Sequence, residues 1–131
     1  MKILIVDDNK ETTSALSKYF NSKGFQCDGI NDSWKALEQI QKEHFDVILL
    51  DTCMPKFTGE QIIKTLATNE VLKNQNIFIF SSKLCHEFTN KDLLRRDGIN
   101  GILKKPMDPD KILQAITKDF NLHKTTISKT F

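Results

Sequence analysis

The sequence predicts an α/β domain built on a parallel sheet, and the pattern of its apolar residues carries that prediction. Short unbroken apolar runs alternate along the chain with longer stretches that have apolar residues at helical spacing. Unbroken runs of this kind are typical of strands that are covered on both faces. Because the order is strand then helix, repeated five times, we expect a parallel sheet with helices on both faces.

Three strands are predicted from strong patterns and two from weaker ones. The strong candidates are residues 3–6, 47–50 and 77–80, each a run of four apolar residues bounded by polar or turn residues. The weaker candidates are residues 25–30 and 100–103. These five segments form the predicted sheet.

The first two predicted helices follow the first two strands. The first helix covers residues 10–23, with Asn9 as its N-cap and Gly24 just beyond its end. The second begins near Ser33 and places Trp34 on the same face as later apolar residues. We therefore expect Trp34 to be a core residue.

The remaining three helices have signals of different strength. Residues 58–61 form a capping-box pattern that opens the third helix. The fourth, at residues 86–96, is weakly patterned and ends before Gly98. The fifth is the clearest, because Asp108 and Pro109 are typical of a helix start and apolar residues follow at helical spacing.

Composition and charge limit the classes of protein to consider. The chain has 131 residues, with 39% hydrophobic and 27% charged residues, and a formal net charge of +2. These values fit one globular domain and give no reason to expect a nucleic-acid or membrane partner. The apolar run at the N-terminus is too short for a signal peptide or a membrane span, so a cytoplasmic protein is expected.

Three cysteines, Cys27, Cys53 and Cys85, are widely spaced in the chain. An odd number at such spacing suggests neither a disulfide framework nor a metal site of the Cys-x-x-Cys type. We expect reduced thiols in a cytosolic compartment, with Cys53 a spectator thiol.

Polar and charged residues end four of the five predicted strands. They are Asp7 and Asp8 after the first strand, Asp51 after the third, Ser81 and Ser82 after the fourth, and Lys104 and Lys105 after the fifth. Ligands of open parallel sheets bind at the carboxyl ends of the strands. We therefore expect three carboxylates, hydroxyl groups and a lysine to converge at one edge of the sheet.

This set of residues points to phosphoryl transfer. Three acids in one crevice are costly unless a cation neutralises them, and a site with only oxygen ligands suits Mg²⁺. A carboxylate can act as the nucleophile toward phosphorus, and a nearby lysine can pair with a phosphoryl oxygen. Taken singly, Asp7 and Asp8 are better explained as turn or capping residues.

The sequence resembles the receiver-domain family of two-component signalling. The matching segments are residues 3–9, 51–55 with Gly59 following, 81–82 and 105–106, in the order and spacing of that family. The resemblance implies the flavodoxin-like (βα)5 fold, a three-layer sandwich with strand order 2-1-3-4-5. It also implies a receiver domain at residues 1–120, which leaves residues 121–131 as a polar C-terminal tail.

The resemblance further implies the ligands of a Mg²⁺ site. Asp8 and Asp51 would bind the ion through their side chains, and Cys53 would bind it through its backbone carbonyl. Asp7 would act mainly through water bound to the metal.

The resemblance makes Asp51 the phosphoacceptor. Ser81 would hydrogen-bond the attached phosphoryl group and Lys105 would pair with it. Lys104 is a neighbouring rival, and the choice of Lys105 depends on its place directly before Pro106.

The resemblance also implies partners. The phosphoryl donor would be a sensor histidine kinase or a phosphotransfer protein. The chain would act as a phosphoacceptor switch rather than an enzyme. Too few residues follow residue 120 for an output domain such as a DNA-binding helix-turn-helix. Output would be binding to a downstream protein at the face formed by the fourth helix, fifth strand and fifth helix.

Three positions bear on how such a switch would work. Ile102 lies where many receivers have an aromatic residue that changes position on phosphorylation, so that rearrangement is in doubt. Met107 stands where phenylalanine is frequent, and it can fill the same space. Lys83 lies where relatives tune the lifetime of the phosphoryl group.

The sequence alone is compatible with other functions. A phosphorylation-independent interaction module on the same fold is the main alternative, and Ile102 favours it. A phosphatase of the haloacid-dehalogenase type needs a second acid two residues after the nucleophile, where this chain has Cys53. A flavin-binding module lacks its phosphate loop after the first strand.

Overall fold

Five parallel strands form one sheet in the order β2-β1-β3-β4-β5 in the computed structural model, which describes residues 1–54, 56–82 and 94–121. The strands are β1 (Lys2–Val6), β2 (Gln26–Ile30), β3 (Val47–Leu50), β4 (Ile77–Ser82) and β5 (Ile99–Lys105). From β1 the chain moves first to β2 on one side and then to β3 on the other. The carboxyl ends of β1 and β3 therefore flank the point where the strand order reverses, which is where a crevice opens in this fold.

Four helices and a short 3₁₀ turn lie among the described residues. The helices are α1 (Lys10–Ser22), α2 (Ser33–Lys42), α3 (Gly59–Thr68) and α4 (Pro109–Asn121), and the 3₁₀ turn is Leu72–Asn74. Thus α4 corresponds to the fifth helix that the sequence predicts. None of these helices has the length and apolar character needed to cross a bilayer.

The two faces of the sheet carry separate apolar cores. On one face, residues of α2 and α3 such as Leu37, Ile62 and Leu66 pack on β-strand residues. On the other face, residues of α1 and α4 such as Phe20 and Ile116 do the same. Each side chain buried in this way stabilises the fold by about 1.5–3 kcal/mol. The strands β1, β3 and β4 are thus covered on both sides, as their unbroken apolar sequences predict.

The predicted fold class and strand order are confirmed, and so are the best-marked element ends. The side chain of Asn9 caps α1. Thr58 and Gln61 form the predicted capping box at the start of α3. Gly24 has a φ of 93°, a left-handed conformation that suits glycine after a helix.

Two predictions from the sequence are not confirmed: the burial of Trp34 and the helix at residues 86–96. Trp34 is 62% exposed, so its prediction as a core residue is wrong. The predicted helix at residues 86–96 lies mostly outside the described residues, and its described part, residues 94–96, forms a turn.

Candidate functional site

Three carboxylates meet at the carboxyl end of the sheet. Asp7 follows β1 and Asp51 follows β3, and the last residues of these strands, Val6 and Leu50, are partners in the parallel register. Together with Asp8, they offer oxygen atoms that all lie within 4.8 Å of one another. Asp7 and Asp51 are 1% and 4% exposed, whereas Asp8 is exposed to solvent.

Lys105 brings a cation into this acidic cluster. Its Nζ lies 2.6 Å from Asp7 Oδ2 and 3.4 Å from Asp51 Oδ2. The neighbouring Lys104 is exposed. Adjacent side chains alternate between the two faces of a strand, so only one of two consecutive lysines can point to the acids. The structure thus assigns the contact to Lys105 rather than to Lys104.

The loop after β1 fixes the position of Asp7. Asp7 Oδ1 accepts a hydrogen bond from the backbone N–H of Asn9 at 2.9 Å. Asn9 in turn caps α1 by accepting hydrogen bonds from the N–H groups of Glu11 and Thr12. Asp7 therefore does form part of a turn, as one reading of the sequence held, while its other oxygen contacts Lys105.

Asn31 is a positioning residue that the sequence reasoning missed. Its Nδ2 donates to the backbone carbonyl of Asp7 at 2.8 Å and to Thr13 Oγ1 at 2.9 Å. This side chain ties the loop after β2 to the loop that carries the acids. The available signal was its place at the carboxyl end of β2, the same sheet edge at which the acids lie.

The environment of Asp51 disfavours its charged form. Burial raises the pKa of Asp51, and the charge of Asp7 adds to this effect. A hydrogen bond of 2.9 Å from the N–H of Cys53 to Oδ1, together with Lys105, acts in the opposite direction without cancelling the rise. The positive charge near Asp51 is thus too small to compensate for the burial of its carboxylate.

Lys105 is held in its charged form by the same acids. Burial by itself lowers the pKa of Lys105. The hydrogen bond to Asp7 and the charges of Asp51 and Asp7 outweigh this effect, so the pKa of Lys105 is raised. The lysine therefore stays protonated at neutral pH.

Gly59 lets the start of α3 lie directly against the backbone of Asp51. A Cβ atom at this position would lie 2.3 Å from the carbonyl oxygen of Asp51 and 2.7 Å from Thr52 Cα. Real Cβ atoms do not approach so closely, and the neighbouring atoms belong to the backbone and cannot turn aside. Glycine is therefore required here.

Ser81 lies near the carboxyl end of β4, and Cys53 lies in the loop that follows the neighbouring strand β3. Ser81 is buried at the carboxyl end of β4 and pairs in register with Lys104 of β5. Cys53 is disulfide-bonded, so the expectation of a reduced spectator thiol is wrong for this residue. Its backbone carbonyl takes no part in a disulfide. Cys27 is a free cysteine, and burial raises the pKa of its thiol to about 11.

The three carboxylates suit a hard divalent cation. Oxygen atoms about 2.1 Å from a Mg²⁺ ion in octahedral geometry are about 2.9–4.2 Å apart. The spread of up to 4.8 Å in the acidic cluster is only slightly wider. The donor set of Asp7, Asp8 and Asp51 contains oxygen alone, which is the chemistry that Mg²⁺ prefers.

Two of the positions that bear on switching lie in the described part of β5 and the loop after it. Ile102 is partly buried against the core that α2 and α3 cover. Met107 is partly buried against the core that α1 and α4 cover. The third position, Lys83, lies outside the described residues.

Comparison with known proteins identifies the family. The family model for the response regulator receiver domain matches residues 3–117. The chain belongs to this family. Receiver domains are phosphorylated by histidine kinases or phosphotransfer proteins, and they typically use Mg²⁺.

Relatives of the receiver domain are found in proteins of very different length. The chain is 32% identical over 118 residues to the sensor histidine kinase RcsC of Escherichia coli, but it spans only 12% of that protein. It is 30% identical over 120 residues to the sporulation initiation phosphotransferase F of Bacillus subtilis and spans 91% of it. Receiver domains thus occur both as parts of larger proteins and with little else attached.

Solved receiver domains share the fold. The chemotaxis response regulator CheY4 of Vibrio cholerae is 28% identical, with a TM-score of 0.76 over 89% of this chain and 96% of that one. A CheY-like receiver domain from Methanospirillum hungatei is 20% identical, with a TM-score of 0.80 over 94% and 96%. At 20% identity, the similarity to the Methanospirillum hungatei domain is evidence for the fold alone.

Proposed function

We propose that Asp51 of this receiver domain is the phosphoacceptor of a two-component phosphorelay, with Mg²⁺ as cofactor. One observation supports this above all others: the charged Nζ of Lys105 and the oxygens of two other acids, Asp7 and Asp8, surround the buried carboxylate of Asp51. Such a cluster is costly for a fold and useful for phosphoryl transfer.

The reaction exchanges one bond to phosphorus for another. An oxygen of Asp51 attacks phosphorus in line with the P–N bond of a phosphohistidine. The P–O bond forms, the P–N bond breaks, and the histidine ring of the donor recovers its electron pair. When bound, Mg²⁺ neutralises charge on the phosphoryl oxygens.

The side chains around Asp51 have distinct roles in this proposal. Asp8 and Asp51 would hold the cation through their side chains, Asp7 would act through water bound to it, and Cys53 would offer its backbone carbonyl. Lys105, already protonated between Asp7 and Asp51, pairs with a phosphoryl oxygen. Ser81, at the end of the next strand, donates its hydroxyl to the attached group.

The result is a switch with little catalytic turnover of its own. The phosphorylated side chain carries a charge of about −1.5 to −2, which replaces the single negative charge of the ionised Asp51 at this edge of the sheet. We propose that the domain spans residues 1–120, with a tail at 121–131, and that it signals by binding a downstream protein. The face of the predicted fourth helix, β5 and α4 is the proposed contact surface.

The test is phosphorylation by a small donor. The wild type is incubated with phosphoramidate in Mg²⁺ or in a chelator, and the intact mass is measured. We expect a mass increase of one phosphoryl group in Mg²⁺ only, lost in Asp51→Asn and kept in Asp28→Asn, a matched change at an exposed aspartate of β2. Absence of any mass increase in the wild type would instead favour the phosphorylation-independent module, to which Ile102 points.

A further inference from the structure

A stacked pair of aromatic residues, one exposed and one partly buried, lies beside the acidic cluster. Trp34, in the first turn of α2, is 62% exposed and is the large apolar side chain most open to solvent in the described part of the chain. Its ring stacks on that of Phe57, with centroids 3.9 Å apart and planes at 16°. We refer to Trp34 and Phe57 together as the aromatic ledge.

The aromatic ledge is continuous with the site of phosphorylation. Trp34 and Phe57 line an open cavity of about 380 Å³ together with Asp8, a member of the acidic cluster. Phe57 belongs to the segment that connects Asp51 to α3. The ledge therefore forms the rim of the crevice on the side of the loop between β3 and α3.

Phe57 packs against the core that α2 and α3 cover, but folding alone does not explain the exposed ring of Trp34. The helix start needs only the cap, which Asp32 supplies by accepting hydrogen bonds from the N–H groups of Trp34 and Lys35. Because most of the Trp34 side chain stays in water, its burial adds little to stability. Single exposed apolar residues are ordinary, but here two aromatic rings are stacked on each other at the rim of a polar site.

The chemistry of the ledge suits a protein partner. Tryptophan is enriched among the residues that dominate binding at protein interfaces. Stacking on Phe57 fixes the ring before binding, which lowers the entropy cost of ordering it. Charged residues of both signs, Asp8, Asp32 and Lys56, line the same cavity. An apolar centre with a polar rim is the usual anatomy of a protein interface.

We propose that the aromatic ledge is a docking point for the phosphohistidine-carrying protein that phosphorylates Asp51. This inference rests on the proposed function. Since Asp51 is only 4% exposed, a histidine can reach it only if the protein surface around that histidine closes over the rim of the crevice. The ledge is part of that rim. A small phosphodonor reaches Asp51 without contacting the aromatic ledge. The ledge therefore affects phosphorylation by a protein donor but not by a small one.

The test compares two donors that share a P–N bond. One is phosphoramidate. The other is an autophosphorylated histidine kinase, selected from a panel as the fastest donor to the wild type. For Trp34→Ala and Phe57→Ala, we expect kcat/KM with the kinase to fall about tenfold, mainly through KM, and the rate with phosphoramidate to stay within about twofold of wild type. Trp34→Phe retains most of the kinase reaction.

Controls separate docking from a general effect on the fold. Tyr19→Ala removes a partly buried aromatic ring of α1 that lines a different groove, and it should leave both reactions unchanged. Independently of any variant, the unphosphorylated kinase should shift the single indole N–H signal of Trp34 in an NMR titration, because Trp34 is the one tryptophan in the sequence.

Several outcomes would overturn the proposal. Equal slowing with both donors would make the ledge part of the phosphorylation site itself. Self-association of the wild type that Trp34→Ala abolishes would assign the ledge to a second copy of the chain. Transfer from the kinase at the wild-type rate in both Trp34→Ala and Phe57→Ala would remove the docking role and leave the proposed function standing.

Discussion

At the scale of single residues, the site places negative charge where the fold tolerates it poorly. Asp51 is buried next to Asp7, and its nearest cation, Lys105, is shared between the two acids. The pKa of Asp51 is raised because its contacts with Lys105 and the N–H of Cys53 do not offset the effect of burial. A buried carboxylate beside another acid is stabilised by any cation that binds next to it. A site that attracts Mg²⁺ in this way suits a phosphoacceptor.

Asp51→Asn should stabilise the metal-free protein at neutral pH. The folded pKa of Asp51 lies above its ordinary value of 3.8, so the folded state binds the proton more tightly than the unfolded state. Stability is therefore lost as pH rises through the folded pKa. In chelator at pH 7, we expect urea unfolding to show a gain on the order of 1 kcal/mol for Asp51→Asn.

The difference in stability between the wild type and Asp51→Asn should shrink as pH falls and be smallest below 3.8, the ordinary pKa, where Asp51 is protonated in both the folded and the unfolded state. Asp28→Asn, at an exposed position, serves as the control. A wild type more stable than Asp51→Asn at pH 7 in chelator would contradict the inferred environment of Asp51.

The two neighbouring lysines should differ sharply in function. Lys105→Met removes the charge that faces Asp7 and Asp51, so we expect phosphorylation by phosphoramidate in Mg²⁺ to slow by about 10- to 100-fold. Lys104→Met, at an exposed position, should react like the wild type. The initial rate of mass increase measures both. Equal rates for the two variants would show that the contact of Lys105 is unimportant for the reaction.

Sequence reasoning found the residues that follow buried strands and missed those that position them. Asp7, Asp51 and Lys105 could be predicted because strand ends of a parallel sheet meet at one edge. The place of Asn31 after β2 puts it at the same edge, but its hydrogen bond to the Asp7 carbonyl depends on the path of one loop relative to another, which the strand pattern does not encode.

At the scale of elements, α3 begins against the backbone of Asp51, and this contact links the helix to the site. The capping box of Thr58 and Gln61 fixes where the helix starts. Gly59 then allows the closest approach of α3 to the end of β3. The segment between Asp51 and α3 is therefore constrained at both of its ends.

Gly59→Ala should be strongly destabilising. The added Cβ would meet backbone atoms at 2.3 and 2.7 Å, so α3 must move away from β3. We expect a loss of about 2–4 kcal/mol in the free energy of unfolding, measured in urea. Lys64→Ala, on the exposed face of the same helix, should change it by less than about 0.5 kcal/mol. A similarly small effect of Gly59→Ala would mean that α3 does not contact β3 closely.

The elements illustrate what periodicity can and cannot predict. The strands and the caps of α1 and α3 follow from residues that act locally, so they were predicted well. Trp34 was misplaced because helical spacing fixes the angle around the helix axis but not how far along it the sheet extends. Trp34 lies in the first turn of α2 and stacks on Phe57 instead of entering the core.

At the scale of the whole molecule, the parallel sheet brings together residues that are far apart in the chain. Lys105 contacts Asp7 and Asp51 across 98 and 54 residues of sequence. The register of adjacent strands sets these contacts. A shift of one residue would turn a side chain to the opposite face, so the site depends on the correct pairing of the entire sheet.

Mg²⁺ should stabilise the folded protein because only the folded chain gathers the three acids. At a concentration ten times its dissociation constant, the ion adds about 1.4 kcal/mol to the free energy of unfolding. Thermal unfolding with and without Mg²⁺ should show this rise in Tm for the wild type and little or none for Asp8→Asn. An equal rise in both proteins would place the ion elsewhere.

The most direct measurement of the central claim is the position of the phosphoryl group in the chain. The wild type is treated with phosphoramidate, reduced with borohydride to trap an acyl phosphate, digested and mapped by mass spectrometry. We predict a single modified residue, Asp51, in Mg²⁺ and none in chelator. Modification of Asp7, Asp8 or a hydroxyl residue instead, or modification of Asp51 without a divalent cation, would contradict the account.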